Sequence, residues 1–302
     1  MMSEGPLAAI PLDHCLACGS DRIGRLPLRY EFRGSFPAAV CRACGMRFLR
    51  VQPAAEALRE LYGSGYFQRD FRCGRSESEY FCEDAFRTEN EDLLREFARL
   101  GPPGRLLEVG CAGGWLLKHA AERGWQARGI ELSAAAVAHA RSLGLAVHEG
   151  DLSSARLPDA SADLVYMGDV LEHVPDCRAT LAEVARVLAP GGHLYLRGPI
   201  TTNSIARRAG LALYRLAGRD IVLREPPYHL WEFTPRPLAR LLRAVGLSVL
   251  QMRQSKIPAG RPHGEKGPAQ RLAMFVFDVA NLPLTRFFNI CGDRVVLIAR
   301  KG

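Results

Sequence analysis

Arg105-Leu-Leu-Glu-Val-Gly-Cys-Ala-Gly-Gly-Trp-Leu-Leu117 joins an apolar strand to a helix through a turn rich in glycine. Leu106, Leu107 and Val109 read as a buried strand, and Gly110, Gly113 and Gly114 let the backbone approach a ligand at the helix N-terminus, where amide groups are unpaired. The spacing Gly-x-x-Gly-Gly behind an acidic Glu108 is not the Gly-x-Gly-x-x-Gly dinucleotide fingerprint. Working outward, strands and helices alternate: strand 105–110, helix 114–123, strand 126–131, helix 133–143, strand 145–149, strand 162–168, helix 177–188 and strand 193–198. This rhythm predicts an α/β fold with a mostly parallel sheet and helices on both faces. It breaks for insertions at about 200–232 and 255–290, around helix 235–245 and strand 247–253, before a last strand at 293–300. Insertions beyond the carboxyl ends of strands are where pockets are built.

Upstream, Cys15-Leu-Ala-Cys18-Gly19 and Cys41-Arg-Ala-Cys44-Gly45 form two near-identical knuckles separated by strand-like and turn residues. Two Cys-x-x-Cys turns supply the four thiolates of a tetrahedral structural Zn²⁺ site that leaves no position for a substrate. Cys73, Cys82, Cys111, Cys177 and Cys291 show no such pairing and read as small apolar residues. Helical spacing at 53–61 and 83–100, followed by Gly101-Pro-Pro-Gly104, divides the chain into a zinc ribbon (1–52), a helical linker or cap (53–101) and the α/β domain (102–302).

With 302 residues, 48% of them hydrophobic, the chain can bury one large core beside a small module. The net charge of +8 comes almost wholly from arginine, since Lys118, Lys256, Lys266 and Lys301 are the only lysines, and no dense basic run of the nucleic-acid type appears. Met1 to Leu12 lacks the charged and apolar regions of a secretory signal, which gives the expectation of a cytoplasmic protein. No stretch reads as a membrane span; Leu272–Leu284 is broken by Asp278, Asn281 and Pro283 and reads as an amphipathic helix suited at most to peripheral membrane contact.

Glu131 closes the second strand about 20 residues beyond the glycine loop, where a carboxylate can accept hydrogen bonds from ribose hydroxyls. Glu108, the three glycines, Glu131 and the Gly150-Asp151-Leu152 step together resemble the class I S-adenosylmethionine methyltransferases in order and spacing. The resemblance implies a Rossmann-like methyltransferase sheet and an S-adenosylmethionine site made by Glu108, Gly110, Cys111, Ala112, Gly113, Gly114, Trp115, Glu131, Leu132, Asp151, Leu152 and Asp169. Trp125 reads as packing for the first helix of that domain.

Methyl transfer needs alignment and removal of a proton from the nucleophile. Met167-Gly-Asp-Val-Leu-Glu-His-Val-Pro175 follows the fourth strand and puts Asp169, Glu172 and His173 at i, i+3 and i+4 of a helical turn. Pro226-Pro-Tyr-His-Leu-Trp-Glu-Phe-Thr-Pro235 adds His229 and an aromatic wall from Tyr228 and Trp231. This pair of segments resembles small-RNA 2′-O-methyltransferases and, over the first element, ubiquinone-pathway O-methyltransferases, although Asp169 stands where those families show glutamate. The resemblance implies a catalytic set of Asp169, Glu172, His173 and His229 around Mg²⁺ or Mn²⁺; the residues themselves leave open a metal-free acid/base role for His173 or His229 and a merely structural one.

The chain as a whole resembles bacterial methyltransferases with an N-terminal zinc module from polysaccharide, sugar and natural-product pathways. That implies O-methylation of a sugar, glycan or related small metabolite. The alternatives are an RNA methyltransferase, a quinone- or lipid-type O-methyltransferase, and a non-catalytic zinc-ribbon scaffold.

Overall fold

The computed structural model describes residues 5–62, 82–256 and 281–302. Cys73, most of the second insertion and most of the amphipathic stretch at 272–288 lie outside them.

The central sheet has seven strands: β6 (Arg105–Val109), β7 (Gln126–Glu131), β8 (Ala146–Glu149), β9 (Ala162–Gly168), β10 (Leu188–Pro199), β13 (Leu247–Ser255) and β14 (Arg294–Lys301). Their order is β13-β14-β10-β9-β6-β7-β8. β8, β7, β6, β9 and β10 run parallel, while β14 is antiparallel to both β10 and β13. This is the mostly parallel sheet that the alternation predicted, in the Rossmann-like form that the resemblance implied. β10 is longer than the strand expected at 193–198, because the chain leaves the preceding helix at Leu188 directly into pairing with Ala162 and rejoins the ladder at His193 after an irregularity.

Alternation along the strands explains the layers. Leu106 and Leu164 face α2 (Asp84–Ala98), whose Leu93, Leu94 and Phe97 pack with Trp125, Tyr166 and Tyr195. Phe97 is fully buried and meets Tyr166, Tyr195 and Trp125 edge-on at centroid distances of 5.5, 5.3 and 6.2 Å. Leu107, Val109, Val165 and Met167 face the other side, where α5 (Cys177–Val187) buries Leu181, Val184 and Val187. Asp176 caps α5, accepting from the Arg178 and Ala179 amides at 2.9 Å each. α3 (Trp115–Ala121) and α4 (Ala134–Ser142) complete the flank beside β7 and β8.

The N-terminal residues form a second sheet from β2 (Ile23–Glu31), β3 (Ser35–Cys41) and β4 (Arg47–Leu49), with β1 (Ala9–Pro11) pairing β5 (Val51–Pro53) ahead of α1 (Ala55–Leu61). The first insertion holds α6 (Ile205–Leu216), β11 (Ile221–Leu223) and β12 (Trp231–Glu232), and its strands extend that second sheet to the order β11-β2-β3-β4-β12. A boundary at residue 52 therefore does not bound the sheet of the cysteine module. Residues from 221–232 complete both of its edges, and one apolar core runs from Leu28 and Phe48 to Trp231, Leu171 and Leu196. No helix of the described residues is long and apolar enough to cross a membrane.

Candidate active site

β6 ends in a loop whose backbone is left-handed at Gly110 (φ 76°), Ala112 (φ 48°) and Gly114 (φ 86°). The Gly110 and Cys111 amides donate to the Ile130 carbonyl at 2.8 and 3.1 Å, which ties the loop to the end of β7. The Glu131 carboxylate accepts from the Ala112 and Ser133 amides, both at 2.9 Å. A Cβ on Gly110 would lie 2.4 Å from Val170 Cγ2, and one on Gly114 would lie 2.6 Å from Leu145 and 2.9 Å from Ala140. Both glycines are thus required by the loop's own conformation and packing, a reason additional to ligand approach.

Glu108 is buried at the end of β6, and its Oε2 has no hydrogen-bond partner. Burial, helped by the nearby Glu131 charge, pushes its carboxyl up to about 8. An orphaned acidic oxygen beside a left-handed glycine loop fits a cofactor carrying an ammonium group. Glu131 is also raised, chiefly by burial. Leu132 is 54% exposed and Asp151 is exposed at the same carboxyl edge, Asp151 accepting from the Ser154 amide at 2.7 Å, whereas Leu152 is buried. Cys111 lies in the loop, but its side chain is buried in the cluster with Leu117, Val137, Ala140 and Val147. Buried Gly113 accepts through its carbonyl from the His139 ring at 2.9 Å, and that ring packs edge-on against Trp115, centroids 5.1 Å apart.

At the end of β9, the structure brings together Glu172, His173 and His229, whose ligand-capable atoms all lie within 4.8 Å of one another. Asp169 is outside this group. It adopts φ 55°, and its carboxylate binds the Arg294 guanidinium of β14. Glu172 is 2% exposed, and its Oε1 has no hydrogen-bond partner. Burial, then the Asp169 charge, raise its carboxyl well above the usual range. Burial, then His229, lower His173 to about 3, so its ring is neutral. His173 Nδ1 is 2.9 Å from the Tyr228 carbonyl and 2.8 Å from the Tyr62 hydroxyl. A carbonyl only accepts, which assigns the proton to Nδ1 and leaves the Nε2 lone pair toward Glu172 Oε1, 3.7 Å away. The His173 and His229 rings stand edge-on with centroids 4.9 Å apart.

Four cysteines converge at the other end of the second sheet. Cys15 and Cys44 Sγ are 3.7 Å apart, Cys18 and Cys41 Sγ are 3.6 Å apart, and all four lie within 4.8 Å. A tetrahedral ion with Zn–S bonds of about 2.3 Å separates its sulfurs by about 3.8 Å, so the donor set fits Zn²⁺. Gly19 (φ 75°) and Gly45 (φ 82°) allow each knuckle to close, with their amides donating to the Cys15 and Cys41 carbonyls at 2.7 and 2.9 Å. Although burial opposes it, hydrogen bonds from the Cys44 and Ala43 amides and the neighbouring thiols bring Cys41 down to about 7. Burial pushes Cys15 above the usual thiol range and Cys44 up to about 11.

The two centres are mechanically joined. The Leu49 amide of β4 donates to the Leu230 carbonyl at 2.9 Å, while the Leu230 and Trp231 amides donate to the Glu172 carbonyl at 2.8 and 3.2 Å. Trp231 Nε1 donates to the Val174 carbonyl at 2.7 Å, and its ring packs on Phe48 with centroids 5.6 Å apart. Trp231 is 1% exposed, so it is a clamp rather than part of an aromatic wall; Tyr228 does stand at the site, 5.5 Å from Tyr62 by ring centroids. Sequence reasoning missed Arg294 and Tyr62. Both come from chain regions more than 100 residues from their partners, and no local pattern marks either.

The methyltransferase-domain family matches residues 81–252 of this chain. The chain is 34% identical over 173 residues to a ubiquinone biosynthesis O-methyltransferase of Hahella chejuensis, covering 54% of this chain and 70% of that protein. It is 30% identical over 161 residues to one of Cupriavidus pinatubonensis, covering 49% of this chain and 62% of that protein, and so spans less than two thirds of the latter's length. Among solved structures, an S-adenosylmethionine-dependent methyltransferase from Mesorhizobium loti superposes with TM-score 0.46 at 21% identity, over 66% of this chain and 92% of that one. Another, from Archaeoglobus fulgidus, gives TM-score 0.47 at 16% identity, over 71% and 94%.

Proposed function

This chain belongs to the class I S-adenosylmethionine-dependent methyltransferases, and we propose that it O-methylates a hydroxyl of a sugar, glycan or related small metabolite. The observation that carries the reading is the grouping of Glu172, His173 and His229 at the carboxyl edge of the sheet, beside the glycine loop that follows β6. Bound at that loop, S-adenosylmethionine supplies a sulfonium methyl group that the acceptor oxygen takes as the C–S bond breaks with its electron pair on sulfur.

The chain's own contribution is alignment and proton removal. Glu108 and Glu131 hold the cofactor's amino and ribose groups, with Gly110, Cys111, Ala112, Gly113 and Gly114 giving it a close backbone, and Leu132, Asp151 and Leu152 at the adenine side. Asp169 fastens the edge of the site to β14 through Arg294. His229 takes the hydroxyl proton. Neutral His173, fixed by the Tyr228 carbonyl, orients it from behind.

A second reading is favoured by the donor set itself. Glu172, with its orphaned buried oxygen, and the lone pairs of His173 and His229 would hold Mg²⁺ or Mn²⁺, which would orient the hydroxyl and lower its pKa. The names of the curated relatives add a quinone-type acceptor as the competing substrate class. The test is transfer of labelled methyl from S-adenosylmethionine into fractionated extracts, with and without Mg²⁺ or Mn²⁺, for the parent and His229→Ala. Label in a polar glycan fraction, lost in His229→Ala and indifferent to cation, supports the first reading. Strict dependence on cation selects the second, and label confined to the quinone fraction overturns the sugar assignment.

A further inference from the structure

A cleft of about 130 Å³, open to solvent, lies between the cysteine module and the methyltransferase core. Its lining comes from four stretches far apart in sequence: Leu28 and Tyr30 of β2, Thr201 and Thr202 just past β10, Arg207 and Leu211 of α6, and Leu223, Glu225, His229 and Glu232 of the insertion. His229 belongs at once to this cleft and to the histidine–carboxylate group. Thr201 and Thr202 follow the carboxyl end of β10, the side of an open α/β sheet at which ligands bind.

The polar groups in the cleft are incompletely used. Thr202 is 2% exposed, and its Oγ1 has no hydrogen-bond partner. Glu232, 6% exposed, accepts from Thr201 Oγ1 at 3.2 Å and from the Tyr30 hydroxyl at a long 3.4 Å. Arg207 is half-buried and Glu225 exposed, and among the described residues neither has a hydrogen-bond or ion-pair partner. Two carboxylates are therefore balanced by two guanidiniums, Arg207 in the lining and Arg47 behind it, which donates to the Thr202 carbonyl at 3.0 Å and is attracted by the Glu232 charge, while Leu28, Leu211 and Leu223 form an apolar wall. With its charges balanced in this way and Glu225 at the rim, the cleft offers no net positive charge to a phosphate or carboxylate. A neutral ring with several hydroxyls matches the mixture, because each hydroxyl both donates to a carboxylate and accepts from Arg207 or a threonine.

We propose that this cleft is the acceptor site, that it takes a neutral, polyhydroxylated ring compound, and that the cysteine module forms one wall of it through Leu28 and Tyr30. The proposal rests on the methyl-transfer reading above for which hydroxyl reacts, but occupancy of the cleft does not. The module then serves in substrate choice as well as in folding. A sugar ring and a catechol share this chemistry: an apolar face with hydroxyls at the rim.

Saturation-transfer NMR on the full zinc-loaded chain tests it without turnover. The neutral probes are methyl α-D-glucopyranoside and catechol, and their anionic counterparts are glucose 1-phosphate and 3,4-dihydroxybenzoate. Saturation of at least one neutral probe is expected, falling roughly fivefold or more in Leu28→Trp, which fills the apolar wall, with S-adenosylmethionine affinity unchanged as the control for folding. Glu225→Lys, an exposed substitution, is expected to shift preference toward the anionic member of each pair. The glucoside against catechol comparison separates sugar from aromatic acceptors. Absence of binding by both neutral probes, equal binding by Leu28→Trp, or a preference of the parent for the anionic probes overturns the proposal. Binding in the cleft with no methyl transfer overturns the functional reading alone, and transfer indifferent to both variants overturns the cleft alone.

Discussion

Replacing Glu108 by Gln isolates the electrostatic state of the cofactor loop. In the folded chain the carboxyl is pushed up to about 8, first by burial and second by Glu131, from an ordinary value of 4.5. Between those values the folded state holds a proton that the unfolded state has released, so stability falls as pH rises through this window, by about 1.4 kcal/mol per unit and on the order of 5 kcal/mol over the whole span. Glutamine matches the protonated carboxyl in shape and cannot ionise. Thermal melts of the cofactor-free protein from pH 5 to pH 8.5 should show a steep decline for the parent that is flattened in Glu108→Gln. For a chain of this size each kcal/mol moves Tm by about 2–4 °C, so the curves should diverge by roughly 10 °C at the alkaline end. S-adenosylmethionine would select the ionised carboxyl, so its binding to the parent at pH 7 should release close to one proton, measured by titration calorimetry in buffers of different ionisation enthalpy. Glu108→Gln should bind it weakly without that release. Parallel melting curves for the two proteins, or equal proton release, would refute the assignment.

Gly110→Val places a β-branched side chain at φ 76° and within 2.4 Å of Val170; strain of about 1–3 kcal/mol together with the clash should abolish cofactor binding by calorimetry, with Gly110→Ala intermediate. Cys41→Ser should release bound zinc, read by elemental analysis, and lower Tm by roughly 10 °C or more, because binding energy at a structural site is folding energy. Trp231→Phe leaves the Val174 carbonyl without its donor, a loss of about 1–3 kcal/mol; methyl transfer should fall while cofactor Kd is retained, since the clamp holds His229 and Glu172 rather than the glycine loop. A fall in cofactor affinity equal to the fall in turnover would show that the clamp acts through global stability.

Most of the central sheet was legible because its information is local. Each strand is a short apolar run and each helix an amphipathic one, so expected bounds such as 126–131 and 162–168 coincide with β7 and β9. The cysteine knuckles were legible for a similar reason, as two ligands and a left-handed glycine fit within five residues. Asp169 shows the limit. Its spacing from Glu172 and His173 suits a helical turn, but a left-handed backbone and Arg294, 125 residues away, draw its carboxylate elsewhere.

By itself the sequence determined the α/β alternation, the glycine loop with its two acidic neighbours, the paired cysteine turns and the histidine-bearing segments, since periodicity, turn chemistry and ligand spacing are written in consecutive residues. Only the tertiary structure decided that β11 and β12 complete the sheet of the cysteine module, that Leu230 and Trp231 fasten that module to Glu172, and that a cleft opens between the two at His229. Those features depend on strand pairing and packing between residues up to about 200 positions apart, and such pairings are chosen by the burial of the whole core rather than by any segment's own preference.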